Sequence, residues 1–450
     1  MTPPRAGRRG SPLAGRAAWT LADQVVSSLG SASLSFLVAR AVDPTAFGRF
    51  SLSYSAFAFL AGVSAAVAVT PVQVRFAGAV GVAARRAAGA ATGTAAAVGV
   101  IAGGVIALGS LMAGGALRAV LLGVAVSLPA LLAAEAGRSV LRAGGRPRGA
   151  FALDLCYSAV QLGAVAGLTV AGVRSVTVLE LAWGGAAAVG ALVGVHLLST
   201  RPTTSAVRPW LAAHRDLWRW LLADWVLVLG SQQVALALVA TVGAVAEVGS
   251  LRAATVLLGP LNVLSLSAFA FVVPELARRP HLSSRILVRV AAGTSTVLVL
   301  GAAAWSAVLL LVPDSAGRAL LGSTWPGAHG VLLPMTIALC GTFAGAGPGA
   351  VLLSGARPQT SFRIGLVQAP LSVVLAVVGV RVDGARGAAW GLAAAQWSTV
   401  PLWAARVWLD ARRGRLRITP PPADAVLDDA AGPPGGEMAG VAGPAGAEHP

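Results

Sequence analysis

Apolar runs of roughly twenty residues follow one another from end to end of this 450-residue chain, each long enough to cross a bilayer as a helix. They fall at about 19–40, 50–70, 88–112, 117–140, 151–173, 178–198, 220–242, 253–274, 287–312, 329–353, 364–381 and 388–408. Charged residues make up only 11% of the chain against 56% apolar, and a soluble domain carries about 25%. So few polar groups cannot cover a soluble core of this length. The pattern predicts an all-α polytopic membrane protein with about twelve transmembrane helices.

The formal charge of +17 comes entirely from arginine: all 34 basic residues are Arg and none is Lys. Chemistry that needs a lysine amine, such as a P-loop or a Schiff base, is therefore excluded. Sorted by the loops between spans, 26 arginines fall on the side that carries both termini. The other 8 are Arg40, Arg49, Arg118, Arg174, Arg252, Arg318, Arg381 and Arg386. By the positive-inside rule, both termini face the cytoplasm and the protein is a multi-pass component of the cell membrane. The charge is then a topology label with membrane lipids as its partners, and no nucleic acid is implied. Residues 1–18 read as a basic cytoplasmic arm that lies on anionic headgroups. Residues 411–450 read as a cytoplasmic tail, and the Pro-, Gly-, Ala- and acid-rich part from Thr419 onward is expected to be disordered. Cys156 and Cys340 sit in apolar spans far apart and fit core packing. The five histidines are scattered without metal-ligand spacing, so no metal, no cofactor and no enzyme activity is expected.

The two halves echo each other. Trp19, Ala22-Asp23 and Gly48 recur as Trp220, Ala223-Asp224 and Gly249; Leu29-Gly30-Ser31 recurs as Leu229-Gly230-Ser231; Pro71 and Arg75 recur as Pro274 and Arg278. Six helices separate the copies, so both enter the membrane from the same side, as parallel repeats do. An N-lobe (19–200), a cytoplasmic inter-lobe linker (201–219) and a C-lobe (220–410) follow, arranged around a central cavity. Gly99/Gly103, Gly163/Gly167, Gly190/Gly194 and Gly341/Gly345/Gly349 have the small-xxx-small spacing of close helix packing. Gly259-Pro260 and Gly347-Pro348-Gly349 predict breaks or kinks in the eighth and tenth helices.

An ionised side chain at the centre of a membrane helix costs about 2.5–3.5 kcal/mol, so the polar residues inside the spans are the candidate site. Asp23, Glu135, Arg138, Asp154, Asp224 and Glu275 lie near the cytoplasmic ends, where they would ring a vestibule, and Gln24 and Arg142 are further candidates beside them. Glu135 and Arg138 share a helix face and can pair. Two roles are open to this group: helix-end ion pairs, or a site in which Arg138 and Arg142 meet a phosphate and Asp23 or Asp154 takes a coupling H+ or Na+. Deeper lie Gln161, Gln232, Gln233, Asn262 and Gln396, whose amides can bind sugar hydroxyls or one another. The adjacent pair Gln232-Gln233 can direct at most one side chain into a cavity. Trp19, Trp218, Trp220, Trp325, Trp403 and Trp408 cluster near span ends, as interfacial anchors do.

Asp23-Gln24-Val-Val-Ser-Ser28, Ala39-Arg40, Pro44, Phe47-Gly48, Phe50 and Tyr54 resemble the opening of bacterial oligosaccharide flippases of the multidrug/oligosaccharidyl-lipid/polysaccharide (MOP) superfamily. Leu128-Pro129, Arg138, Gly144-Gly145, Asp154, Gln161, Trp183-Gly184, Arg252-Ala253-Ala254 and Gly259-Pro260-Leu261-Asn262 extend the resemblance. Pro274-Glu275, Pro313-Asp314, Trp325 and Gly387-Ala388-Ala389-Trp390-Gly391 carry it to residue 408. It implies a fold like that of multidrug and toxic compound extrusion (MATE) transporters, two lobes opening alternately. It also implies a polyprenyl-pyrophosphate-linked oligosaccharide as substrate, with a polysaccharide polymerase and glycosyltransferases as partners. Related lipid II flippases place arginines in the central cavity; no span here carries an Arg at mid-depth. Cation-coupled multidrug efflux on the same fold and a non-transporting scaffold for envelope enzymes are the alternatives.

Overall fold

The computed structural model describes residues 12–243, 245–321 and 325–418. The first eleven residues and the segment from 419 onward, expected to be arm and tail, lie outside the described residues. Helices are α1 (Pro12–Ala41), α2 (Pro44–Ser64), α3 (Thr70–Arg75), α4 (Gly81–Ser110), α5 (Gly115–Ala143), α6 (Pro147–Val170) and α7 (Val176–Leu198). They continue with α8 (Val207–Ala213), α9 (Arg215–Val242), α10 (Val245–Leu257), α11 (Gly259–Ala277), α12 (Ser284–Leu310), α13 (Asp314–Leu321), α14 (Trp325–Ser354) and α15 (Pro358–Arg412).

These elements make twelve membrane-length passes among the described residues, as the apolar runs require. α2 and α3 form one pass joined by a π-helix at Ala65–Val69. α10 and α11 form another, interrupted at Leu258 beside Gly259-Pro260. α15 is a hairpin whose arms fold back at Asp383 and Gly384, the latter at φ 51°. α14 runs unbroken through Gly347-Pro348-Gly349.

Several elements start earlier than hydropathy suggests. α1 begins at Pro12, so Arg16 belongs to a helix rather than to the arm. The expected linker 201–219 is partly helical, and α9 begins at Arg215. Residues 411–418, expected as tail, are described: Leu416 and Ile418 pack with Leu276, Leu287 and Val407. Hydropathy misses such segments because they are polar on one face and packed on the other.

The repeat is visible in side-chain packing. Trp19 stacks edge-on to Phe151 at 5.1 Å between α1 and α6, and Trp220 meets Phe362 at 5.4 Å between α9 and α15. A second echo lies in the turns Gly144-Gly145-Arg146-Pro147 and Gly355-Ala356-Arg357-Pro358. In each, the Arg N–H bonds back five residues, to Leu141 O and Leu352 O. Gly145 and Ala356 both have left-handed φ, 73° and 57°, a conformation that costs an alanine about 1–2 kcal/mol.

Small residues set the helix spacing. A Cβ on Gly99 would sit 2.5 Å from Pro129 Cα, and one on Gly103 would sit 2.4 Å from Ala125 O, so α4 and α5 touch through backbone. Gly341 and Gly345 instead make room for side chains, those of Gln396 and Trp397 at the first and of Trp403 at the second, whereas Gly163 and Gly167 face open space. Trp325, expected as an interfacial anchor, is instead buried, with its Nε1 donating to Asp314 Oδ1 at 2.9 Å.

Candidate functional site

The N-lobe holds a buried ion network near the end that carries the termini. On α5, Arg138 and Arg142 lie one turn apart and both point into the lobe, where α1 and α6 supply carboxylates. Arg138 Nη1 donates to Asp154 Oδ2 at 2.8 Å and its Nη2 donates to Glu135 Oε1 at 2.6 Å. Arg142 Nη1 donates to Asp23 Oδ2 at 2.9 Å and to Gln24 Oε1 at 3.5 Å; its Nη2 donates to Ser139 Oγ at 2.8 Å. Three carboxylates thus face two guanidiniums, one negative charge in excess when all are ionised. Asp23 Oδ1 is buried and has no hydrogen-bond partner among the described residues. Both guanidiniums are occupied by carboxylates, which leaves them poorly placed to grip a phosphate in this state.

Beside this network the lobes are latched. The repeat-related arginines Arg75 and Arg278 close α3 and α11; Arg278 reaches into the N-lobe, and Arg75 reaches the linker and the first turn of α9. Arg75 donates to Ala213 O at 3.1 Å and pairs with Asp216. Arg278 donates to Ala77 O at 2.9 Å, Arg142 O at 2.9 Å and Ala143 O at 2.6 Å. Those last carbonyls are the negative end of the α5 dipole, where a cation is favoured. Glu275 gathers Arg16, Arg278 and Arg279 at 2.8–2.9 Å, so the N-lobe Arg16 is tied to the C-lobe. The π-helix exposes Val67 O, which accepts from Trp210 Nε1 at 3.1 Å and pins the linker to the N-lobe. The adjacent His214 is fully buried under Phe76 and Trp210, with Nδ1 2.8 Å from Trp210 O. Burial, aided by the nearby Arg75 charge and opposed by the hydrogen bond to Trp210 O, pushes the His214 imidazole down to about 4.

The C-lobe contains a cavity of about 300 Å³ between α9, α10, α11, α14 and α15. Among the described residues its polar lining consists of hydroxyls, amides and one cation, with no carboxylate. Gln232, Asn262 and Gln396 are among these groups; Gln396 Oε1 accepts from Gln368 Nε2 at 2.6 Å. The cation is Arg252, an exposed residue of α10 that lines the cavity. Asp224 lies behind the cavity wall: its Oδ2 accepts from Ser361 Oγ at 2.9 Å, and a Cβ on the lining residue Gly365 would be 3.2 Å from its Oδ1.

No family model and no curated protein matches the sequence. Solved structures match over nearly the whole chain. A MATE crystal structure in the straight conformation superposes with a TM-score of 0.71 at 13% identity, covering 90% of this chain and 97% of its own. An outward-facing multidrug resistance MATE transporter of the MOP superfamily gives 0.68 at 12% identity, covering 93% and 100%. A MOP superfamily transporter from Pyrococcus furiosus, described as having a binding pocket of reverse polarity that suggests a different function, gives 0.63 at 13%, covering 92% and 99%. The chain has the MATE fold.

On this MATE fold the residues expected to ring one vestibule, with the neighbouring candidates Gln24 and Arg142, separate into three places. Asp23, Gln24, Glu135, Arg138, Arg142 and Asp154 come together in the N-lobe network. Glu275 belongs to the lobe latch and Asp224 to the back of the C-lobe cavity. Gln161 is an interhelical tie, donating from Nε2 to Gly30 O at 3.2 Å. Gln232 lines the C-lobe cavity and Gln233 does not. Arg252, counted in the sequence as a loop arginine on the sparsely charged side, lies inside α10, because that helix starts at Val245 rather than at 253. Its i, i+3 spacing to Thr255, which also lines the cavity, was the available signal. Glu180 was missed as well: it is fully buried on α7 with Ser53 beside it, and its Oε2 lies 2.8 Å from where a Cβ on Gly123 would sit.

Proposed function

We propose that this MATE-fold protein is a flippase that moves a polyprenyl-pyrophosphate-linked oligosaccharide across the cytoplasmic membrane for cell-surface polysaccharide synthesis. The observation that carries the proposal is the C-lobe cavity, whose amides, hydroxyls and single guanidinium suit a glycan. A pocket for cationic drugs would offer a carboxylate to its ligand, and among the described residues none lines this one. With the termini cytoplasmic, the latch of Arg16, Arg75, Glu275 and Arg278 closes the cytoplasmic side, so the state described is one that releases outward. Transport then proceeds by rocking the two lobes about this latch.

Coupling belongs to the N-lobe network. Its excess negative charge is neutralised when Asp23 or Asp154 takes a proton or a cation, which frees an arginine and loosens α5. Deletion of the gene tests the proposal. Lipid-linked glycan accumulating on the inner leaflet, with loss of surface polysaccharide, is the expected result. Unaltered surface glycan together with hypersensitivity to cationic drugs would favour efflux instead.

A further inference from the structure

The chain that joins the two lobes makes one-sided contacts. Ser199, at a left-handed φ of 53°, turns the backbone off the end of α7. Residues 200–206 then lie across α4 where glycines leave room for backbone. A Cβ on Gly89 would sit 2.9 Å from Arg201 O, and one on Gly93 would sit 2.4 Å from Thr203 O. The Thr203 N–H donates to Gly89 O at 2.9 Å.

Further along, α8 is fastened by a carbonyl that a proline sets free. Pro71 follows the π-helix; it has no N–H to offer Val67 O four residues earlier, and its ring crowds that carbonyl. The π-helix absorbs the mismatch, with the Thr70 N–H reaching back five residues to Ala65 O. Val67 O is left to accept from Trp210 Nε1 at 3.1 Å. The buried Trp210 ring stacks on Phe76 at 5.8 Å, and the His214 ring lies against it at 4.1 Å.

All of these partners outside the linker belong to the N-lobe. Among the described residues no hydrogen bond or ion pair joins residues 200–213 to α10–α15. The helical run is interrupted at His214, with φ −111° and ψ 16°, and contacts with the C-lobe begin just beyond it. Gln359 Nε2 on α15 donates to Asp216 O at 3.4 Å, and Leu217 is buried between Val74 of the N-lobe and Val273 and Ala350 of the C-lobe. Arg75 stands at the boundary, holding Ala213 O on one side and Asp216 on the other.

We propose that residues 200–213 are a strap that travels with the N-lobe as one body, clipped there by the Val67 carbonyl that Pro71 frees, and that the C-lobe swings against it at the His214 backbone. The joint between the lobes is then an element-terminal hinge rather than a long slack loop, which confines their relative motion to a swing. This holds whichever molecule is carried.

Spin-label distances in full-length protein in nanodiscs test the strap, in a Cys156→Ser, Cys340→Ser background. Val82→Cys on α4, Thr204→Cys in the strap and Arg285→Cys at the start of α12 place labels at exposed positions. Distances are compared between the otherwise wild-type protein and Arg278→Gln. The expected result is one narrow 82–204 distance, the same in both, whatever the 82–285 distance does. A shift of the 82–204 distance between the two overturns the proposal. The clip is tested separately: Trp210→Phe keeps a ring but loses the N–H, and Pro71→Ala returns an N–H to Val67 O. Each is expected to speed amide hydrogen exchange across residues 200–213 about fivefold, with thermal melts showing that the variant is folded. Exchange unchanged from wild type in both folded variants overturns the assignment of that carbonyl as the clip.

Discussion

Arg142 is held from both lobes at once: its guanidinium donates to Asp23 Oδ2 at 2.9 Å inside the N-lobe, while its backbone oxygen accepts from Arg278 Nη2, also at 2.9 Å, from the C-lobe. One residue therefore joins the buried ion network to the latch between the lobes. A change of charge at Asp23 alters what holds the Arg142 side chain, and the end of α5 is where Arg278 docks. Arg278→Gln removes the donors to three carbonyls and one of the three arginine partners of Glu275. Spin-label distances between the two lobes at the end bearing the termini are expected to lengthen and broaden in this variant. Distances unchanged from wild type would show that the latch is held by other contacts.

The Asp23–Arg142 pair carries an asymmetric cost. Removing one member leaves the other buried and uncompensated, a loss of about 3–5 kcal/mol, whereas removing both is milder. Asp23→Ala and Arg142→Met are each expected to lower the melting temperature more than the double variant does. Additive losses in a double-mutant cycle would mean that the two groups are not coupled.

His214 gives a pH signature outside the membrane-spanning segments. The buried imidazole titrates near 4 in the folded protein and near 6.5 when unfolded. The unfolded state therefore binds the extra proton first, so the packing contributed by His214 is intact above pH 6.5 and is lost progressively as pH falls towards 4. The loss reaches on the order of 3 kcal/mol at its lower limit. Melting curves of wild type and His214→Asn are expected to converge as pH falls through this window; parallel curves would contradict the assignment.

Ala356 holds a left-handed backbone that its N-lobe counterpart Gly145 adopts without a Cβ. Ala356→Gly is expected to stabilise the fold by about 1 kcal/mol, and Gly145→Ala to destabilise it by a similar amount. The second change also brings a Cβ to 3.4 Å from Arg278 Nη2, so it disturbs the latch as well. Chemical denaturation of both variants reads the signs.

The passes were legible because membrane length and apolarity leave little freedom, and the ionisable residues of the N-lobe stood out because charge is costly in that setting. Asp23, Arg138, Arg142 and Asp154 could be singled out from depth alone. That Asp23 and Arg142 pair across 119 positions is a tertiary fact no spacing rule contains. Arg75 and Arg278 were recognised as repeat partners, but their roles in the latch depend on how the lobes meet. Arg252 escaped because hydropathy places a helix boundary where apolar sequence begins, while α10 starts eight residues earlier on polar sequence. The break at Gly259-Pro260 was readable from residue type, and that the cavity opens beside it was not.

The central claim, outward movement of a lipid-linked oligosaccharide, is tested most directly in proteoliposomes. The substrate is a fluorescent polyprenyl-pyrophosphate-linked oligosaccharide loaded in one leaflet, and a membrane-impermeant quencher reports its arrival in the other. The account predicts that protein accelerates the crossing and that Asp23→Asn and Asn262→Ala each slow it about tenfold or more. A crossing rate equal to that of protein-free vesicles, in preparations that do transport a cationic dye, would contradict it.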